Sequence, residues 1–237
     1  MMAGTGFPEH FQTTSSERMR TKFGNAFVSR TKGGFYLMPR HGPGHTVPPH
    51  AINYRANVEA LRLLGVRRVI ATGAVGSMNP KFRPGQLGIP DQFLDFTKGR
   101  KGTFFDLEVR HTDMTQPYSA SLNSSLVRSA RRLGLKMLTK LVYVGAEGPR
   151  FETAAEIRMF RKLGGDAVGM TGVPEVVLAN EVGIKYASVL VATNWAAGMQ
   201  RRVSHDEVLE VVSMTAPWVK ELLEVTIKGL ISGGRQQ

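Results

Sequence analysis

The chain has 237 residues, a hydrophobic share of 42%, no cysteine and a formal net charge of +12. That length suits one large α/β domain, read here as residues 1–237. Without cysteine there are no disulfides, thiolate metal sites or cysteine nucleophiles. No apolar run approaches the about 18–20 residues of a membrane span, and no basic-then-apolar leader opens the chain. The expected setting is cytoplasmic, with no membrane partner. The basic residues are dispersed (Arg67-Arg68, Arg100-Lys101, Arg131-Arg132, Arg161-Lys162, Arg201-Arg202) and form no tract interleaved with stacking aromatics. Such a field attracts small anions, and it lacks the patch that nucleic-acid binding requires.

Met1-Met2-Ala3 runs straight into Gly4-Thr5-Gly6. A strand normally delivers such a turn, so either the strand is a stub or the start lies upstream. The turn offers backbone N–H groups and a hydroxyl to a phosphate oxygen, and a plain turn fits equally well. Phe35–Met38 is apolar and leads into Pro39-Arg40-His41-Gly42. Arg40 supplies a planar donor fork for an oxyanion, and His41 can add a hydrogen bond. His41, His45 and His50 lie close together, but no nearby carboxylate completes a metal set and three prolines extend the loop; no metal is expected.

Tyr54, Val58, Leu61 and Leu64 recur at helical spacing, and Gly65 closes that helix. Val66–Thr72 reads as a strand, followed by a loop of small residues, Gly73–Ser77, where a ligand can approach the backbone. Leu87–Pro90 reads as a short strand. Phe96–Pro117 is the longest irregular stretch, a length that usually signals function or mobility. Ser119, Ser121 and Asn123 open a helix that Gly134 closes, and Leu141–Gly145 is a strand. Thr153 and Glu156 form a capping box for a helix to about Leu163. Ala167–Met170 is a strand, and Pro174 suits the first turn of the next helix. Lys185–Thr193 is strongly β-prone. Ser204 and Glu207 suggest a second capping box, and Pro217 is expected to kink or split the long helix that follows. Strands joined by helices predict a three-layer α/β fold with a central, mostly parallel mixed sheet flanked by helices.

Three motifs sit at strand ends: EGPRFET at 147–153, VGMTGVPE at 168–175 and VATNWAAG at 191–198. Together with NYRAN at 53–57, GAVGS at 73–77 and RHGPGH at 40–45, they resemble the trimeric purine nucleoside phosphorylase and methylthioadenosine phosphorylase family, in order and spacing, over nearly the whole chain. The resemblance implies attack of inorganic phosphate, as co-substrate, on C1′ of a purine nucleoside, with no metal or organic cofactor. It implies a homotrimer or homohexamer in which His111 reaches the neighbouring subunit's site.

On this resemblance Thr5, Arg40, His41, the Ala74 backbone N–H and Thr171 bind phosphate; Gly73 stands where methylthioadenosine enzymes carry Thr. Met170 packs under the ribose and Phe151 covers the purine, although core packing would also account for either side chain. Glu152 and Asn194 read the base. An ionised Glu152 accepts from N1–H of a 6-oxopurine, and Asn194 can serve N7 and O6; adenine-specific relatives carry Ser and Asp at these positions. Glu152, Asn194, Arg40 and His41 are therefore the candidate catalytic residues. His205 aligns with a histidine that binds a 5′-hydroxyl, although a helix-start surface residue would look the same. The front half, with LDFTKGR at 94–100, instead favours a 5′-methylthio substrate, so inosine or guanosine stands first and methylthioinosine second.

Overall fold

The computed structural model describes residues 1–233; the expected domain end at 237 lies outside the described residues. The strands are β1 (Met2–Ala3), β2 (Thr13–Thr21), β3 (Gly24–Thr31), β4 (Tyr36–Pro39), β5 (Arg68–Ser77), β6 (Leu87–Phe96), β7 (Met137–Ala146), β8 (Ala167–Gly169) and β9 (Lys185–Trp195). The helices are α1 (Tyr54–Leu63), α2 (Ala120–Arg132), α3 (Ala154–Lys162), α4 (Gly172–Glu181) and α5 (His205–Gly233).

All nine strands join one sheet in the order β2-β3-β4-β1-β5-β8-β7-β6-β9, and β9 pairs again with β5. The last five strands therefore close on themselves. Pairing is parallel for β1–β4, β1–β5, β5–β9, β6–β7 and β7–β8, and antiparallel for β2–β3, β3–β4, β5–β8 and β6–β9. The predicted mixed α/β architecture holds.

Side-chain alternation along each strand decides which helices cover which face. Val69 and Ala71 of β5, with Tyr186 and Leu190 of β9, pack with α1 and α4. Ile70, Ala187, Val189 and Val191 pack with α2 and α5. β9 is buried along almost its whole length because helices cover both its faces, and so it reads as a continuous apolar run. A third cluster seats α3, through Ile157 and Phe160, on Met78, Val144 and Val168.

Local signals hold where the chemistry is local. The Asn53 side chain accepts from Ala56 N at the start of α1, and Thr153 and Glu156 form both arms of their capping box. The Ser204–Glu207 box is only half made: Ser204 Oγ accepts from Glu207 N, while the Glu207 carboxylate takes its hydrogen bond from Gln200 Nε2. Pro217 does not split α5, which runs unbroken from His205 to Gly233. Pro217 and Ser213, whose carbonyl loses its partner, are both exposed. Water can satisfy that carbonyl while the buried stripe Val208, Val212, Ala216, Val219 and Leu223 holds the helix to the sheet.

Three other expectations change. The β2–β3 hairpin adds two strands that the sequence does not announce: β2 is mostly exposed, and in β3 the exposed Phe27 between buried Ala26 and Val28 masks the alternation. β6 continues to Phe96, well past the short strand expected, because its second half pairs with β7. Gly73–Ser77 is not a loop after a strand but the second half of β5, paired along its length with β9. No helix among the described residues is long and apolar enough to cross a membrane.

Candidate active site

One cavity of about 380 Å³ gathers the motifs. Thr5, Arg40, His41, Ala74, Phe151, Glu152, Met170, Thr171, Asn194 and His205 all line it. His111 does not; it lies exposed in the irregular segment between β6 and α2.

The sheet itself opens the phosphate end. On one side β5 meets β1 only at Ala71 and β8 only at Gly76 and Ser77. Between these contacts Thr72–Val75 have no strand neighbour on that side. The Thr72 carbonyl faces this gap and accepts from Arg40 Nη1 at 2.6 Å. Successive residues of a strand turn their N–H and C=O to alternate sides, so Ala74 N–H points into the same gap. A two-residue β1 thus leaves a notch in the sheet edge with an amide donor inside it.

Arg40 guards this notch, fully buried. Its Nε and Nη2 donate to the two oxygens of Glu175 at 2.9 and 2.8 Å, and Tyr186 donates to the same carboxylate. Three of five guanidinium N–H groups are engaged and two remain for an oxyanion. Burial works against the charge, but Glu175 overcomes it and raises the Arg40 pKa. The free hydroxyls of Thr5 and Thr171 line the same end. Gly4 N–H, expected to be free, donates to Thr72 Oγ1 at 3.0 Å and ties the turn to β5. The first amides of α4 are also taken: Thr171 N and Gly172 N both donate to Tyr143 Oη.

His41 is held by two contacts. Its Nδ1 lies 2.9 Å from the Val47 carbonyl, and its ring stacks on His45 with centroids 4.2 Å apart. Burial, reinforced by the Arg40 charge, lowers its pKa to about 4. The neutral ring donates from Nδ1 to Val47. Because the folded pKa lies below the ordinary 6.5, the unfolded chain takes up the proton first as pH falls. This contribution to stability is complete above pH 6.5 and lost as pH falls towards 4. Between pH 7 and pH 5 the wild type should lose about 2 kcal/mol more stability than His41→Asn, measured by urea unfolding. Equal losses in the two proteins would refute the buried neutral imidazole. Among the described residues no three His, Asp or Glu side chains converge as metal ligands.

The base end is built differently. Glu152 has no side chain bonded to its carboxylate among the described residues, and burial raises its pKa. Asn194 is buried on β9. Its Nδ2 donates to Trp195 O at 2.8 Å and its Oδ1 accepts from Thr193 Oγ1 at 2.9 Å. One amide hydrogen and one lone pair stay available. Met170 is pressed against Gly148, where a Cβ would stand 2.5 Å from the Met170 sulfur and where φ is +68°. Only glycine fits that approach without strain.

A sequence profile of the Phosphorylase superfamily matches residues 5–228. The chain belongs to that superfamily. Two similar relatives are the probable 6-oxopurine nucleoside phosphorylase of Moorella thermoacetica, 52% identical over 90% of this chain and 85% of its own length, and the probable S-methyl-5'-thioinosine phosphorylase of Methanopyrus kandleri, 50% identical over 96% and 91%. Among solved structures, a mutant adenosine/methylthioadenosine phosphorylase of Schistosoma mansoni in complex with methylthioadenosine superposes with a TM-score of 0.91. It is 32% identical and covers 98% of this chain and 90% of that one.

This phosphorylase also uses residues that its sequence did not single out. Glu175 and Tyr186 complete the Arg40 site from positions 135 and 146 residues away in the chain. His45, read only as a candidate metal ligand, lines the cavity in a left-handed backbone conformation, φ +57°. Val203 and Val208 flank His205 in the lining. Val203 and Val208 carry no local signal, and Glu175, although it ends the motif at 168–175, gains its role only where the fold brings it to Arg40.

Proposed function

We propose that this enzyme cleaves 6-oxopurine nucleosides with inorganic phosphate, giving free base and ribose 1-phosphate, as in purine salvage. The observation that carries the reading is the pair of base-end side chains. Glu152 offers a carboxylate with no side-chain partner among the described residues and Asn194 one free donor and one free acceptor, in the cavity that also holds Arg40. A 6-oxopurine presents N1–H to an acceptor and O6 to a donor, whereas adenine presents the reverse.

The chemistry asks for little acid–base work at the sugar. Phosphate, held by Arg40, His41, Thr5, Thr171 and the Ala74 amide, attacks C1′ as the bond to N9 breaks. Its charge lies against the positive charge developing on the ribose. Electrons flow into the purine, N7 takes a proton from solvent, and Asn194 stabilises the leaving base by donating to O6 and accepting the hydrogen bond of N7–H. Such preorganised donors act chiefly on the transition state. Metals and organic cofactors have no part in this scheme. Small-molecule partners, a homotrimer or homohexamer with His111 reaching a neighbour's cavity, and a cytoplasmic setting complete the proposal.

A second reading is phosphorolysis of 5′-methylthioinosine. It is supported by Val203 and Val208 beside an exposed His205, which give the 5′ end an apolar lining, and by the similarity to the Methanopyrus kandleri protein. The test is phosphate-dependent base release from inosine, guanosine, adenosine, methylthioinosine and methylthioadenosine in turn. Hypoxanthine from inosine without adenine from adenosine supports the base reading. Adenine release at a comparable rate sinks it. Preference for methylthioinosine over inosine moves the assignment to the second reading.

A further inference from the structure

Arg100 lies in the irregular segment that follows β6, yet its side chain is only 3% exposed. Its guanidinium meets three segments of the chain, at Tyr54, at Ala146 and Glu147, and at Met170 and Val173; of these residues Met170 lines the cavity. Nε donates to Glu147 Oε2 at 3.1 Å, and Nη2 donates to the Glu147 and Ala146 carbonyls at 2.5 and 3.3 Å. Nη1 reaches the Met170 carbonyl at 2.7 Å, the Val173 carbonyl at 2.8 Å and the Tyr54 hydroxyl at 3.0 Å. The group also lies over the Tyr54 ring, 5.3 Å from its centroid. Tyr54 in turn donates to the carbonyl of Pro49, a cavity-lining residue. Glu147 closes the arrangement by accepting from Lys98 N at 2.6 Å.

We infer that Arg100 is a positioning residue for nucleoside binding, fixing the loop that presents Pro149, Phe151 and Glu152 relative to Met170. This rests on the proposed phosphorolytic function. All five N–H groups are spent on protein acceptors, so none is left to touch substrate. The carbonyls it binds have no common partner otherwise: Ala146 and Glu147 lead into the base loop, and Met170 and Val173 bracket the turn into α4. Both segments leave adjacent, parallel strands, β7 and β8, and diverge after them. A planar fork spreads five donors over divergent acceptors, whereas an ammonium has three at a single atom. Arg40 itself is held by Glu175 and Thr72, so of the phosphate-binding groups only Thr171, between Met170 and Val173, sits on a segment that Arg100 holds directly.

The two ends of the cavity should therefore separate kinetically. Arg100→Ala is expected to raise the nucleoside KM about ten- to hundredfold, the scale of a loop misplaced by an ångström. The phosphate KM should rise far less, because the bonds that hold Arg40 persist and Thr171 alone among the phosphate-binding groups lies in the loosened turn. Added guanidinium ion should restore part of the nucleoside affinity, and Arg100→Lys should show the same split with a smaller change. If Arg100→Ala does not fold, Arg100→Lys decides. Both KM values unchanged, with only stability or kcat lowered, would overturn the inference and leave Arg100 a plain structural anchor; so would an equal rise in both. The wild-type substrate panel is run first, so absence of phosphorolysis in the wild type counts against the function, and a missing KM split in the variants counts against Arg100 alone.

Discussion

Asn194→Asp should cut kcat/KM for inosine by about 10²–10³, the usual loss when one preorganised donor is removed, and should raise activity on adenosine. The wild-type amide has one free N–H and one free lone pair, fixed by its bonds to Trp195 and Thr193. Asp replaces the donor with a second acceptor. Facing inosine, a carboxylate would meet lone pairs at both N7 and O6. Facing adenosine, it accepts from the 6-amino group, and if protonated it donates to N7. Burial of the site on β9 favours that protonated form. The asymmetry between substrates should be large, since a buried polar group without a partner discriminates far better than a missing methylene. The check is the ratio of kcat/KM for inosine and adenosine in wild type and variant. An unchanged ratio would remove Asn194 from base reading.

Arg40→Ala should act on stability and catalysis together. Glu175 is completely buried and would lose its ion-pair partner, which typically costs about 3–5 kcal/mol. For a chain of this size that lowers Tm by about 6–20 °C. Phosphate should no longer saturate the enzyme in the millimolar range, while nucleoside binding persists. The double variant Arg40→Met with Glu175→Leu separates the two effects. Apolar replacement of a buried ion pair is often neutral or stabilising, so the double variant should recover most of the lost Tm and still fail to bind phosphate. If it recovers activity along with stability, Arg40 is a structural residue and the oxyanion role falls.

Individual elements show what could be read before folding and why. The Thr153 cap lies within three residues of the amide it serves, so spacing alone locates it. By the same kind of local rule Pro217 should kink or split α5, yet it leaves no break there. Its effect depends on whether the unpaired carbonyl faces water, and orientation against the sheet decides that. The β2–β3 hairpin is not legible because β2 is mostly exposed and the apolar run Ala26-Phe27-Val28 of β3 hides which residues face the core. β5 was cut short at Thr72 because Gly73–Ser77 reads as a small-residue loop; the partner strand β9 turns it into sheet.

The site divides in the same way. The types and order of Arg40, His41, Phe151, Glu152, Met170, Thr171 and Asn194 were legible, because each belongs to a short motif whose chemistry is written in neighbouring residues. The superfamily and the base preference follow from those residues and needed no coordinates to be expected. The notch in the sheet edge, the Arg40–Glu175–Tyr186 linkage, the stacking of His41 on His45 and the Arg100 hub were not legible. Each depends on groups far apart in sequence meeting at one point, which a burial pattern or a motif cannot specify. The order of residues states which functional groups the enzyme owns. Folding settles which hydrogen bonds those groups have already spent inside the protein, and so which remain for phosphate and base.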